Sequence, residues 1–401
     1  MKNDLTEKGM LVTVFWFPIV NVIMYAGLIF SFFSSLTKPK EFKKKTGLDY
    51  AILFFFLIVA LSVFTSQDKL LSIYGLAAFC AYPAVYFLFS KKINAENIPG
   101  IARNVFYSLL IVLAMAVVQV VAPGPFLLKN KGFFDFLGLG WEKGLNAWPG
   151  TRLVSTLGNP NVLGAYLILV LPVLACFFLY KPSYKTGIIF IAGALCLFFT
   201  YSRAAWIGFF AGILTIAVIS RRRLIVLLCL LMMIPFAAMP GLRNRLVSIF
   251  RPSAQYGNVG RSYAWQASIN MIKAHPLLGT GINTYYRVYP EYQPPGSTDR
   301  YPHAHNVFLQ IGAETGLTGL MAFCVLVILF LKLSVQTYRK YAVQGNGQGL
   351  QWLVLGIIGS TAGFLVQNIG DCTFVRGQMG VMFWAMMGIV KGFSGSIEEQ
   401  K

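Results

Sequence analysis

Long apolar blocks separated by short polar breaks recur along nearly the whole chain. Windows of high apolarity fall near residues 10–33, 48–65, 71–90, 104–121, 161–180, 186–201, 203–220, 223–240, 304–332, 350–368 and 373–391. A block of about 20 apolar residues is long enough to cross the hydrocarbon core of a bilayer as a helix. Several blocks contain Pro, Gly or Asn, which membrane helices tolerate where neighbours satisfy the freed backbone groups. The pattern predicts an all-α polytopic membrane protein with about 11–12 transmembrane helices. The first block is too long for a signal-peptide core and lacks a small-residue cleavage site, so it is expected to remain as a single span.

The polar breaks set an orientation. The segment KPKEFKKK carries Lys38, Lys40, Lys43, Lys44 and Lys45, and basic short loops collect on the cytoplasmic side. Alternating from there puts Lys91, Lys92 and Arg103 inside, then Lys181 and Lys185, then Arg221 to Arg223, then Lys332, Arg339 and Lys340. Eleven spans put the start of the chain outside and its end inside. Two longer connections then face outward: Ala122 to Thr151, and a hydrophilic loop over residues 240–302. Within the second, apolar positions at Ala264, Trp265, Ile269, Met271 and Ile272, stopped by Pro276 and Gly279, predict an amphipathic helix near the membrane surface. With no long repeat and no low-complexity linker, residues 1–401 are read as a single membrane domain with an outer cap.

Composition agrees. Of 401 residues, 56% are hydrophobic and only 12% charged, against about 25% charged in a soluble domain. A net charge of +20 would suggest nucleic acid in a soluble chain. Here cytoplasmic loops account for much of it, the bilayer is the expected partner, and no nucleic acid is expected. Cys80, Cys176, Cys196, Cys229, Cys324 and Cys372 lie mostly inside apolar spans without a CxxC pair, which points to packing rather than disulfides or metal. Neither a phosphate loop nor a DxD pair is present, so neither ATP nor a soluble nucleotide sugar is the expected donor. No cofactor is expected.

The outward loop breaks the charge rule that the other loops obey. It holds Arg243, Arg245, Arg251, Arg261, Lys273, Arg287 and Arg300 against Glu291 and Asp299. Arginine offers a planar fork of donors suited to phosphate oxygens; the alternative is a basic cap resting on lipid headgroups. Arg203, between two apolar runs, is an ionisable group at a costly depth and marks either a site or an interfacial snorkel. His305 precedes Asn306 where a span begins; it can exchange a proton near neutral pH or merely cap the helix. His303 completes a His-x-His pair for which no third metal ligand is evident, so no metal is expected. His275, beside Pro276, is read as structural. Glu314, inside the span, either braces an arginine or helps position His305, with a plain buried pair as the alternative.

Four segments in order then resemble the O-antigen ligase and O-antigen polymerase superfamily of bacterial membrane proteins: RLVSTLGNPNVLGAYL, YSRAAWIG, GRSYAWQASINMIKAHPLLGTGINTYY and HAHNVFLQIGAETGLTGL. They cover residues 152–319; the rest matches only in hydrophobicity. Members commonly have about twelve spans with both ends inside. The resemblance implies a glycosyltransferase at the outer face of the plasma membrane whose donor is a glycan on undecaprenyl diphosphate, working without metal or nucleotide. It implies Arg203, Arg261 and His305 as catalytic residues. Arg152, Asn159, Asn161, Arg300, Asn306 and Glu314 complete the set expected to contact substrate.

That chemistry suits the residues. A diphosphate is a good leaving group, so the reaction needs positive groups to offset charge on the phosphates and a base for the acceptor hydroxyl. Transfer to a growing chain and transfer to another glycan, lipid or protein acceptor remain equal options. Two other readings stay open. A lipid-linked oligosaccharide flippase would carry its charges near the bilayer midplane. A peptidoglycan polymerase of the rod-shape and division family would use Asp299 as its acidic group.

Overall fold

The computed structural model describes residues 5–19, 21–36, 45–121, 152–222, 243–244, 247, 258–297, 299–344, 349–375 and 377–396. The expected span 223–240, the connection Ala122 to Thr151, and Arg245 and Arg251 lie outside the described residues. Among the described residues every regular element is helical. The helices are α1 (Leu5–Trp16), α2 (Asn21–Leu36), α3 (Gly47–Leu61), α4 (Lys69–Phe79), α5 (Ala81–Lys92), α6 (Ile98–Val121), α7 (Pro160–Tyr180), α8 (Tyr184–Phe199), α9 (Arg203–Ser220), α10 (Asn258–Ala274), α11 (Tyr285–Tyr292), α12 (Val307–Gln344), α13 (Leu350–Gln367) and α14 (Gly377–Ser396). Among the described residues, six stretches are long and apolar enough to cross a membrane: Lys69–Lys92, Ile98–Val121, Pro160–Tyr180, Arg203–Ser220, Val307–Val343 and Leu350–Gln367, with shorter apolar helices beside them. The chain is an all-α polytopic membrane protein.

One expected span is corrected. Residues 10–33 are not a single helix but parts of two, α1 and α2, joined by a turn at Phe17–Pro18–Ile19. Proline offers no N–H to continue the ladder, and glycines let the two helices close into a hairpin. Gly9 lies against Gly27 and Ser31, and Gly27 against Thr13. The 12 residues of α1 rise only about 18 Å, well short of a hydrocarbon core of about 30 Å. Leu5 and Leu36 therefore lie at the same end of the bundle. This shifts the alternation by one crossing and removes the eleven-span order.

The central helix is α7, whose residues Val162 to Pro172 are all buried. A helix apolar on every side belongs inside a bundle. Against it lie α9 and α13, which cross each other through glycines. A Cβ on Gly208 would stand 2.5 Å from the Gly363 carbonyl oxygen, and one on Gly212 would stand 2.6 Å from that of Gly359. With no hydrophobic drive between helices in lipid, such small-residue contacts supply packing through close backbone approach. This crossing fixes where α9 begins, and Arg203 is its first residue.

At the opposite end a buried polar cluster ties three helices. Lys391 Nζ of α14 lies 3.9 Å from Asp49 Oδ2 of α3. Tyr86 of α5 donates to Asp49 Oδ1 at 2.8 Å, and the Thr46 amide donates to Asp49 Oδ2 at 2.6 Å.

Gly212→Leu should therefore destabilise the bundle, because its neighbour is backbone and cannot repack; overpacking typically costs about 1–3 kcal/mol. Gly187→Ala should be harmless, since its Cβ would meet the Phe178 ring at an ordinary 3.4 Å. Melting temperatures in detergent read the contrast, and equal values for both variants would remove the crossing as the determinant.

Candidate functional site

The cap joins the bundle where α12 is broken. Gly316 takes φ 71° and ψ −177° inside that helix, a conformation open to glycine and hostile to other residues. The carbonyls of Ala313 and Glu314 are thereby freed, and the loop after α10 answers them. Thr280 N–H donates to Ala313 O at 2.9 Å and Gly281 N–H to Glu314 O at 3.0 Å, while Leu317 N–H donates to Pro276 O at 2.8 Å. Gly279, at φ 67°, packs directly on the Glu314 peptide. The glycines of GTG and of ETG are thus two halves of one joint. The same loop latches onto the α3–α4 connection, with the Gln67 amide donating to Thr280 O at 3.2 Å and Ser72 Oγ to Ile282 O at 2.9 Å.

This joint seats α10. Its residues Ala267 and Met271 pack with Tyr285, Val288 and Tyr289 of α11 and with Ala304 and Ala313. Of the expected apolar face, Ala264 and Met271 are buried, whereas Trp265 and Ile269 are exposed. Arg261 sits in the first turn of α10. His275 is structural, as expected, with Nε2 at 2.9 Å from Tyr292 Oη and 3.2 Å from Gln67 Nε2.

The histidines occupy the turn that leads into α12. His305 takes φ 50°, and a non-glycine residue in such a region typically carries about 1–3 kcal/mol of strain, which clusters at functional sites. The turn is held from below. Glu314 Oε1 accepts from Gln310 Nε2 at 2.9 Å and from Tyr285 N–H at 3.2 Å, and Gln310 Oε1 accepts from Ala304 N–H at 2.8 Å. Glu314 therefore braces the histidine turn through Gln310 and a backbone amide of the cap.

Sequence reasoning missed Asp371. It lies in the connection between α13 and α14, buried, with Oδ1 3.9 Å from His305 Nδ1. Neither His305 Nδ1 nor Asp371 Oδ2 has a hydrogen-bond partner, so two buried polar atoms face a common space. Burial pushes the Asp371 carboxyl up, but His305, the Cys372 amide and the charge of Arg261 outweigh it and hold the acid below its usual range. The charge of Arg261 thus acts on this group from the start of α10. The Cys372 amide donates to Asp371 Oδ1 at 2.8 Å. Gly370 packs against Ala204, with a built Cβ 3.4 Å from the Ala204 Cβ, which brings the start of α9 to the same loop. Val307 N–H donates to Asn368 O at 2.9 Å and closes the ring. The only early signal for Asp371 was an acid flanked by two apolar blocks.

The expectation that His303 and His305 lack a third ligand is also corrected. Donor atoms of His303, His305 and Asp371 lie within 4.8 Å of one another. His303 Nδ1 meanwhile accepts from the His305 amide at 3.4 Å.

The remaining candidates divide. Arg152 and Asn161 come together, with Arg152 Nη2 donating to Asn161 Oδ1 at 2.7 Å and Arg152 Nε to Thr200 O at 2.7 Å, next to the turn that precedes Arg203. Asn159 and Asn306 spend their side chains as helix caps. Asn159 Oδ1 accepts from Asn161 N–H at 2.8 Å, and Asn306 Oδ1 accepts from Phe308 N–H at 2.9 Å. Arg300 is exposed on the loop. Beside His303 opens a cavity of about 430 Å³ walled by Tyr25, Tyr74, Tyr82 and Tyr286 and reaching Gln310 and Glu314.

The comparisons bear on this arrangement. A family model described as O-Antigen ligase matches residues 188–324. The exopolysaccharide production protein ExoQ of Rhizobium meliloti (strain 1021) is 34% identical to this chain over 77 residues. Together they support the O-antigen ligase and polymerase superfamily. The ExoQ match covers 17% of this chain and 17% of that protein. The family match contains Arg203, Arg261, His305 and Glu314. Asp371, Arg152 and Asn161 fall outside it. The similarity to this superfamily is thus confined to part of the chain, and the chain spans less than a fifth of the length of ExoQ.

Gln310→Leu should loosen the histidine turn, since it removes one of the donors to Glu314 and leaves the Ala304 amide without its partner, at a cost of about 1–3 kcal/mol. Hydrogen exchange of a peptide spanning residues 301–310 should accelerate, while one from α7 should not. Unchanged exchange in both would detach the turn from this brace.

Proposed function

We propose that the chain is a membrane glycosyltransferase that moves a glycan from undecaprenyl diphosphate to an acceptor hydroxyl, as an O-antigen ligase or polysaccharide polymerase does. The reading rests on one observation: the His303–His305 turn, buried Asp371 and the arginine-bearing starts of α9 and α10 meet at one end of the bundle. Helix starts attract anions, and two of them carry the arginines. By the loop-charge argument that end faces away from the cytoplasm, at the outer face of the plasma membrane.

In the reaction the acceptor oxygen attacks the anomeric carbon from the side opposite the diphosphate. The bond from that carbon to the diphosphate oxygen breaks, its electron pair leaves with undecaprenyl diphosphate, and the hydroxyl proton passes to His305. A single displacement of this kind inverts the anomeric centre. Arg203 and Arg261 hold the diphosphate and offset its growing charge. Asp371 is a positioning residue: its carboxylate lies on the Nδ1 side of the ring at 3.9 Å, leaves Nε2 for the proton, and stabilises the imidazolium that results. Tyrosine faces in the neighbouring cavity suit the apolar sides of a sugar ring, and its Gln310 and Glu314 suit hydroxyls. No metal takes part. A flippase would need its charges near mid-bilayer, and these groups sit at helix ends.

Three variants test the roles. His305→Ala should lower turnover about 10²–10⁴-fold with donor binding retained, and His303→Ala should do far less. Arg203→Ala or Arg261→Ala should weaken donor binding, with lysine restoring it only in part because it lacks the fork. Asp371→Asn should lower turnover and shift the pH–rate profile while leaving the donor KM in place. Near-normal turnover in His305→Ala beside a dead His303→Ala would reverse the histidine assignment.

A separate measurement addresses the three clustered donors. Activity should survive EDTA treatment of the purified protein. Loss of activity that zinc, magnesium or manganese restores would convert His303, His305 and Asp371 into ligands and overturn the base mechanism.

A further inference from the structure

A second and larger cavity, of about 740 Å³, lies away from the candidate site. Its walls come from α6, α7, α13 and α14, and it ends at Lys181, Ser183 and Tyr184 after α7. Asn161 marks the site end of α7 and Lys181 follows its far end, so the rise of the helix separates them by about 30 Å. Along α6 the lining runs from Ile98 to Leu109. That is about 16 Å of helix, close to half of a hydrocarbon core of about 30 Å. The cavity therefore has the depth of one leaflet, the leaflet remote from the arginines.

Its chemistry is divided along the same axis. The deep walls are aliphatic, aromatic and methionine side chains such as Phe177, Ile357 and Met382, and methionine adapts its shape to what it meets. The mouth carries a cation. Lys181 is exposed, Lys185 follows with its Nζ 5.9 Å from the Tyr184 ring, and Arg103 is exposed beside the lining residue Ala102. Tyr184 is 75% exposed, as expected of an aromatic ring at a membrane interface. A basic mouth over an apolar shaft one leaflet deep calls for an amphiphile with a negative head.

We propose that this cavity binds an anionic membrane phospholipid of the leaflet opposite the candidate site, with an acyl chain between α6, α7 and α14 and its phosphate at Lys181. A zwitterionic lipid also carries a phosphate, but its own ammonium already neutralises that charge and is repelled by the basic mouth. A polyprenyl diphosphate engaged at the arginines cannot place its head at Lys181, because the two positions lie at opposite ends of α7. The lipid braces α7, α13 and α14 at their far ends and is a structural partner of the bundle, independent of the reaction proposed above.

The test uses the purified full-length chain in phosphatidylcholine nanodiscs carrying a phosphatidylglycerol with a photoactivatable acyl chain, and maps adducts by peptide mass spectrometry. Adducts are expected on residues 98–109, 169–177 and 382–389, with competition by unlabelled phosphatidylglycerol and little by extra phosphatidylcholine. Lys181→Glu, a surface change that leaves the walls intact, should reduce those adducts several-fold, and Val105→Trp should displace them by filling the shaft. Adducts spread equally over exposed lipid-facing positions such as Leu214 and Val218 would overturn the site. Equal competition by phosphatidylcholine, or competition by a polyprenyl diphosphate alone, would overturn the choice of occupant.

Discussion

In a hydrocarbon core each backbone N–H and C=O must be answered from within the protein, and α12 would violate that rule at Gly316. The loop from Pro276 to Gly281 removes the violation by donating to Ala313 and Glu314 and accepting from Leu317. The break and the loop are each untenable alone. Their pairing decides where the cap sits, because the loop is the direct continuation of α10. It also decides the outer profile of α12, whose first turns must stand clear of the second half to expose those carbonyls. The seat of the cap, and with it the placement of Arg261, is downstream of this joint.

From it a short chain of polar contacts reaches the histidines. Glu314 spends one oxygen on the cap through Tyr285 and on Gln310, and Gln310 holds the Ala304 amide. A buried acid normally costs stability unless its lone pairs are filled, and here they are filled by the cap and by the turn. The strained φ of His305 persists because its neighbours leave it no other conformation. On the far side Asn368 fixes α12 through Val307 and the Phe374 amide, so that Asp371 is presented from a connection with little freedom.

Much of this was legible in the sequence and some was not, for reasons that differ by residue. Arg203, Arg261 and His305 stood out because charge beside apolar runs is expensive and therefore conspicuous. The interlock was half legible: GTG and ETG stand inside two of the segments that carry the resemblance, yet nothing in either says that one pairs with the other. Asp371 was invisible because an acid in a short connection between apolar blocks looks like any solvated turn, and its burial comes from α9 and α12. The hairpin of α1 and α2 was hidden in a continuous apolar run, where hydropathy cannot tell one crossing from a turn at Pro18. Asn159 and Asn306 also have a local role that their position foretells, since asparagine just before an apolar helix caps it. Lys391 carried no signal of its own: a lysine at the end of an apolar block resembles a loop charge, while the structure buries it beside Asp49.

The two arginines reach the site from bodies that are held independently. Arg203 is placed by the glycine crossing of α9 and α13, a contact of backbone on backbone inside the bundle. Arg261 is placed by the joint at Gly316 and by the packing of α10 on α11 and α12. In the proposed reaction the diphosphate would span these two bodies, so its binding would report on their separation. Lysine in either position would keep the charge but lose the fork that fixes distance. In that reaction the bundle would supply one arginine and the jointed cap the other. The interlock then serves two ends at once: it satisfies the broken backbone of α12, and it sets how far apart the positive groups stand when the cap is seated.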